Sequence, residues 1–199
     1  MRNEKIQNTG RFTMSILSKA IIYATNKHEG MVRKGTDTPY IVHPLEAVAI
    51  AAGITSDEEI LSAAVLHDVV EDTPTTIDEL ENEFGKRIAE LVASESEDKM
   101  PNIPPSVSWK IRKEATIAAL QSAAIDEKII ALADKLSNIR AIYRDTVDIG
   151  DKVWDKFNQK DKNMHEWYYR AIANNLTALS DYLVYQEYCQ LVDLVFQRS

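Results

Sequence analysis

The chain has 199 residues, 45% apolar and 27% charged, the balance of a globular domain large enough to bury a core without staples. Its net charge of −8 and pI near 5.1 argue against general nucleic-acid binding, which needs a broad basic surface, but not against one anionic small molecule in a locally basic pocket. A single cysteine, Cys189, excludes an intrachain disulfide and points to a reducing compartment.

The first segment, MRNEKIQNTGRFT, has no apolar h-region and does not read as a secretory signal. No apolar run approaches the ~18 residues of a membrane span, so no membrane partner is expected and the cytoplasm is the default. Apolar residues recur at i, i+3, i+4 almost throughout, which predicts an all-α fold of roughly eight to ten helices.

A first helix is expected over about 14–28, with Ile16, Leu17, Ala20, Ile21 and Ala24 on one face. The stretch 29–42 carries Gly30, Gly35 and Pro39 and reads as a loop. A second helix starts at Pro44 and stops before Gly53. Ser56 and Glu59 form a capping box for a third helix, expected to run unbroken to about Val70; its apolar content marks it as the central one. Thr76 and Glu79 form a second box for 77–84, and a helix over 86–95 follows Gly85.

Residues 94–107 are polar and Pro-containing and read as a loop. Helices are then expected at about 108–123 and 127–143, with more near 151–157, 161–183 and 185–197. One domain over 1–199 is expected, a catalytic core of about 14–145 with a helical extension of about 151–199. The extension's aromatic residues, Trp167, Tyr168 and Tyr169 among them, suit core packing and are compatible with a homodimer.

His67, Asp68, Glu71 and Asp72 stand at i, i+1, i+4 and i+5. On a continuous helix at about 100° per residue they share one side. Acids near a helix C-terminus oppose the macrodipole, which favours a functional reason over a solvated helix end. With His43 upstream and Asp134 downstream, the set offers two imidazole nitrogens and two carboxylate oxygens and no thiolate. That mixture suits Mn²⁺, Fe²⁺ or Mg²⁺ better than structural zinc. The His-Asp dipeptide alone is a common coincidence, and a lone His67 reads equally well as a hydrogen-bonded core histidine.

The ordered strings HEGMVRKGTDTPYIVHPLEAVAI, AAVLHDVVEDTPTT and ALADKLSNIRAI, over about residues 15–145, carry more. They resemble the hydrolase domain of RelA/SpoT-type enzymes, and in particular the small stand-alone alarmone hydrolases. The resemblance implies an all-α HD fold and Mn²⁺-dependent removal of the 3′-pyrophosphate from guanosine tetra- and pentaphosphate. It implies His43, His67, Asp68 and Asp134 as metal ligands and Glu71 and Asp72 as the catalytic acidic pair. It implies Arg33 and Lys34 against the guanine base and Asn138 on the nucleoside.

Asp134 and Asn138, at i and i+4, share a helix face. Lys135, Arg140 and Arg144 are candidate cations for the polyphosphate, with a solvated helix face as the simpler account of Arg144. His28 and Tyr40 read as structural anchors. The GTDT at 35–38 departs from the shorter turn usual in long family members, and Ala141 replaces a hydroxyl residue common there. The synthetase domain of the long enzymes is not in this sequence, so hydrolysis without synthesis is expected. The alternatives are an HD phosphohydrolase for another phosphorylated nucleotide or dinucleotide cofactor, and a non-catalytic alarmone-binding module.

Overall fold

The computed structural model describes residues 13–97, 100 and 102–197; the N-terminal segment up to residue 12 and positions 98, 99 and 101 of the 94–107 stretch lie outside the described residues. The fold is all-α. In chain order the helices are α1 (Ile16–Lys27), α2 (Val42–Ala51), α3 (Glu58–Leu66), α4 (Val69–Asp72), α5 (Ile77–Phe84), α6 (Lys86–Glu95), α7 (Pro105–Ser122), α8 (Ile125–Ile149), α9 (Lys162–Asn175) and α10 (Leu183–Phe196). Short 3₁₀ turns fill Gly150–Lys156 and Thr177–Leu179. The isolated bridge Val32↔Pro39 is the one β pairing among the described residues. No described helix is long and apolar enough to cross a membrane.

α3 is the centre. Every residue from Ile60 to Leu66 is buried, and α1, α2, α6 and α8 pack around it. A helix apolar on all sides must be enclosed, and this one is. On α1, Ala20 and Ala24 are buried while Ile16, Leu17 and Ile21 pack against the core, the face the periodicity predicts.

Several boundaries differ from expectation. α3 is capped by Asp57, whose Oδ1 accepts from Glu59 N at 2.9 Å, and not by Ser56. A carboxylate there also favours the positive end of the helix dipole. Thr76 does cap α5, but Glu79 does not complete the box: its Oε1 accepts from Tyr23 Oη at 2.6 Å and Lys27 Nζ at 2.9 Å, tying α5 to α1. α7 begins at Pro105, a residue pre-set for the first helical position. α8 continues to Ile149 and stops at Gly150, whose φ of +61° is costly for any residue with a Cβ. The expected helix over 161–183 ends at Asn175, and α10 then packs back along α8.

One difference touches the site. The unbroken helix through Val70 does not form; α3 ends at Leu66 and α4 starts at Val69. His67 Nδ1 bonds to Ala64 O at 2.9 Å, the carbonyl that a continuous helix would offer to the Asp68 N–H. The chain resumes helical pairing at once, with Asp72 N donating to Asp68 O at 2.9 Å.

Candidate metal centre and cavity

Three elements converge on one buried point. α2 brings His43, the α3–α4 break brings His67 and Asp68, and α8 brings Asp134. One ligand atom each from His43, His67 and Asp134 lies within 4.8 Å of the others. Asp68 Oδ2 is 3.1 Å from His67 Nε2 and 3.4 Å from His43 Nε2. Asp134 Oδ1 is 3.1 Å from His43 Nε2 and 3.6 Å from His67 Nε2. The four residues singled out in sequence as ligand types therefore form one cluster.

Both imidazoles are held from behind. His67 Nδ1 bonds to Ala64 O, and His43 Nδ1 lies 2.8 Å from Ser137 Oγ. The Ser137 hydroxyl donates to Glu46 Oε2 at 2.7 Å, so its oxygen accepts from the His43 ring. Both Nε2 atoms thus face inward and each other, at 3.2 Å. Two facing lone pairs between two carboxylates need a positive charge among them. A separation near 3 Å is also about what two ligands at right angles would show around an ion roughly 2.1 Å from each. The donor set fits a divalent cation.

The electrostatics agree. Burial disfavours charge on His67, but Asp68 and Asp134 outweigh it and hold the imidazole well above its ordinary pKa. Burial likewise opposes ionisation of Asp68 and Asp134. The histidines, and for Asp134 first Lys135, nevertheless keep both carboxyls well below the usual range. The centre attracts positive charge, and a metal ion competes with a proton for it.

Beside the centre opens a cavity of about 470 Å³. His43 and Lys135 join its wall to the centre. Arg33, Lys34, Lys113, Lys135, Arg144 and Lys156 line it, against two acids, Glu46 and Asp145. Lys113, Lys135 and Lys156 are ion-paired with Glu97, Asp134 and Asp145, so in this chain of net charge −8 the positive field where an anion would enter comes first from Arg33, Lys34 and Arg144. Tyr168 and Tyr169 are buried in the same wall, so Trp167 is the exposed member of that trio.

The loop before α2 is a closed turn. Arg33 N donates to Thr38 O at 2.8 Å, Thr36 N to Arg33 O at 3.0 Å, and Tyr40 N to Met31 O at 2.9 Å. The longer GTDT turn is accommodated by Gly35 at φ +72°. A Cβ at that glycine would stand 3.1 Å from Lys156 Cδ. Arg33 Nη2 donates to Asn138 Oδ1 at 2.8 Å, and Asn138 Nδ2 to Asp134 Oδ1 at 2.5 Å. Lys34 faces the cavity and reaches Asn158 at 3.4 Å.

Other candidates fall differently. Lys135 Nζ pairs with Asp134 Oδ2 and is drawn well above its ordinary pKa by that carboxylate against the cost of burial. Arg140 does not line the cavity. Its guanidinium is taken by Glu187 at 2.7 Å and Glu46 at 3.1 Å, clamping α8 to α10 and α2. Arg144 lines the cavity although its spacing alone favoured a solvated face. Glu71 and Asp72 are half-buried on α4, one turn from His67 and Asp68, and outside the cavity wall. Asp72 bears on Tyr40, whose hydroxyl is pushed far up by burial and by Asp68 and Asp72. His28 packs against Tyr40 with ring centroids 4.9 Å apart and the planes tilted by 38°, and burial holds it below its ordinary pKa. It forms no part of the ligand cluster.

Sequence reasoning missed Ser137 and Glu46, although Ser137 stands three residues from Asp134 and Glu46 three from His43, each one helical turn away. It also missed the Tyr40 Oη bond to Asp68 Oδ2, at 2.6 Å, and the cavity cations Lys113 and Lys156. The two lysines lie on distant elements and leave no local signal.

Comparison with known proteins agrees with this geometry. The family described as HD domain matches residues 20–160. The mouse protein named guanosine-3′,5′-bis(diphosphate) 3′-pyrophosphohydrolase MESH1 is 39% identical over 135 residues, covering 65% of this chain and 71% of that one. The Escherichia coli K12 bifunctional (p)ppGpp synthase/hydrolase SpoT is 37% identical over 135 residues, 63% of this chain and 18% of that one. A solved structure described as a metazoan ortholog of SpoT that hydrolyzes ppGpp superposes with a TM-score of 0.74 at 25% identity, over 90% of this chain and 95% of the other. Listeria monocytogenes lmo0812 gives 0.70 at 32% identity, over 78% and 99%. With the fold, the ligand cluster and these relatives in accord, the chain belongs to the HD-domain family, in the branch of the small MESH1-type and SpoT-type hydrolases.

Proposed function

We infer that the chain is a metal-dependent guanosine-3′,5′-bis(diphosphate) 3′-pyrophosphohydrolase, converting ppGpp and water to GDP and pyrophosphate. The observation that carries this is the direct junction, through His43 and Lys135, of a divalent-metal centre with a cation-lined cavity in an acidic chain.

His43, His67, Asp68 and Asp134 would hold the ion; the mixed nitrogen and oxygen set suits Mn²⁺, Fe²⁺ or Mg²⁺, and the resemblance to the alarmone hydrolases points among these to Mn²⁺. A divalent ion there supplies Lewis acidity to a phosphoryl oxygen and acidity to water. Arg33 and Lys34 would take the base, the guanidinium stacking on its face, and Asn138 the nucleoside. Lys135, Lys113 and Lys156 would offset polyphosphate charge. Glu71 and Asp72, one turn from His67 and Asp68, would orient the attacking water and accept its proton. Water adds to the phosphorus carried by the 3′-oxygen, the bond to that oxygen breaks, the oxygen takes a proton, and pyrophosphate leaves intact. The lone Cys189 accords with a reducing compartment, the cytoplasm, as the place of action.

The test is product analysis with ppGpp and Mn²⁺, with and without EDTA. GDP and pyrophosphate are expected only with metal. Inert ppGpp beside a cleaved 3′-phosphorylated dinucleotide would transfer the activity to the latter substrate class. Binding of ppGpp without turnover in metal-loaded protein would leave a sensor.

A further inference from the structure

Arg33 stands where two side-chain paths meet, and each path ends on one carboxylate of the centre. Along the first, Arg33 donates to Asn138 Oδ1 and Asn138 Nδ2 donates to Asp134 Oδ1. The amide orientation follows from its neighbours, since the flipped form would set N–H₂ against a guanidinium and C=O against a carboxylate. Along the second, the guanidinium lies 5.6 Å from the Tyr40 ring centroid, and Tyr40 Oη donates to Asp68 Oδ2 at 2.6 Å.

The oxygens reached are the two that face the imidazoles. Asp134 Oδ1 is 3.1 Å from His43 Nε2, and Asp68 Oδ2 is 3.1 Å from His67 Nε2. An ionised carboxylate oxygen accepts in two directions. Asn138 and Tyr40 each occupy one and leave the other aimed inward. The closed turn, through Arg33 N to Thr38 O and Tyr40 N to Met31 O, fixes the backbone that carries both side chains.

We propose that Arg33 is a positioning residue for the metal centre as well as a contact for the base, so that filling the purine end of the cavity and binding the ion strengthen each other. The identity of the base rests on the hydrolase reading above. Arg33 is half-buried. A base stacked on its open face excludes water and confines the guanidinium against Asn138 and Tyr40, which narrows the orientations open to Asp134 and Asp68. Linkage makes the effect reciprocal: the ion tightens the nucleoside by the same factor.

The probe is guanosine, which carries the base and no phosphate, so no phosphoryl oxygen can bridge to the ion. Calorimetry first records guanosine binding. Free Mn²⁺ is then counted by electron paramagnetic resonance during titration with purified protein, with and without saturating guanosine. Guanosine is expected to tighten Mn²⁺ by about 5-fold or more. Arg33→Ala should weaken Mn²⁺ alone by about 10-fold and, at guanosine concentrations that calorimetry shows to saturate the variant, bring that ratio to one. Tyr40→Phe should weaken Mn²⁺ and shrink the ratio, with circular dichroism reporting an intact fold. Arg33→Lys keeps the charge but cannot both reach Asn138 and cover the ring, so its ratio should fall between. Guanosine that binds without changing Mn²⁺ affinity would overturn the proposal, as would full coupling in Arg33→Ala. Absent coupling in a protein that still cleaves ppGpp sinks the proposal alone. Guanosine that does not bind sinks the guanine assignment and the proposal with it.

Discussion

His43 Nδ1 and Ser137 Oγ lie 2.8 Å apart across α2 and α8, and the serine hydroxyl donates its hydrogen bond to Glu46 Oε2. The serine thereby selects the tautomer that presents Nε2 to the centre. Ser137→Ala should weaken divalent-metal binding by about 10-fold while leaving the four ligands in place. Mn²⁺ titration followed by paramagnetic resonance checks this, and an unchanged dissociation constant would remove Ser137 from the centre.

The ligands and the acidic pair should separate cleanly. His67→Ala and Asp134→Asn are expected to lose bound metal and turnover together. Glu71→Gln and Asp72→Asn should keep the metal and lose turnover by about 100-fold or more. Metal content by mass spectrometry beside ppGpp turnover distinguishes them; metal loss in the acidic-pair variants would make those residues ligands.

Glu95, at the end of α6, is pushed up to about 7, first by burial and then by the charges of Asp134 and Asp68, with Lys135 and His67 opposing. Its folded pKa lies above its unfolded one. The protein therefore binds this proton more tightly folded than unfolded, and stability falls as pH rises from about 4.5 to about 7. In metal-free protein, Glu95→Gln should be more stable than the parent at pH 8, on the order of 1–2 kcal/mol, and nearly equal at pH 4. Chemical denaturation at the two pH values checks it. Equal differences at both would show that Glu95 does not carry the shift.

Gly35 sits at φ +72° with Lys156 against it. Gly35→Ala should strain the turn by about 1–2 kcal/mol and shift Arg33 and Lys156. A rise in KM for ppGpp of several-fold is expected, with a smaller change in kcat. Unchanged KM would mean that this turn does not shape the cavity.

Arg140 bridges Glu187 and Glu46. Arg140→Ala should lower stability by about 1 kcal/mol, since these pairs are partly exposed. It should raise KM less than Lys113→Ala or Lys156→Ala. The reverse ranking in steady-state kinetics would restore Arg140 as a substrate contact.

The helical class, the central place of α3 and the ligand residue types were all legible along the chain. Periodicity of 3.6 is a local property, and a stretch as apolar as Ile60–Leu66, in which Ser62 is the one polar residue, must be enclosed wherever it sits. The break at His67–Asp68 was not legible, because it depends on an imidazole competing for the Ala64 carbonyl. Nor was the Asp57 cap distinguishable from a Ser56 cap, both residue types being good caps.

The spacing of His43, His67, Asp68 and Asp134 was written in the order of the residues, as were the loop words around Arg33 and Lys34. Tertiary structure alone decided that Arg140 turns away to Glu187 while Arg144 and Lys156 face the cavity, and that Tyr40 and Ser137 bond to Asp68 and His43, 28 and 94 residues distant. A residue's chemistry and helical phase are set by its near neighbours. Its partner is set by which helices pack together, and that is determined by burial of the whole apolar surface.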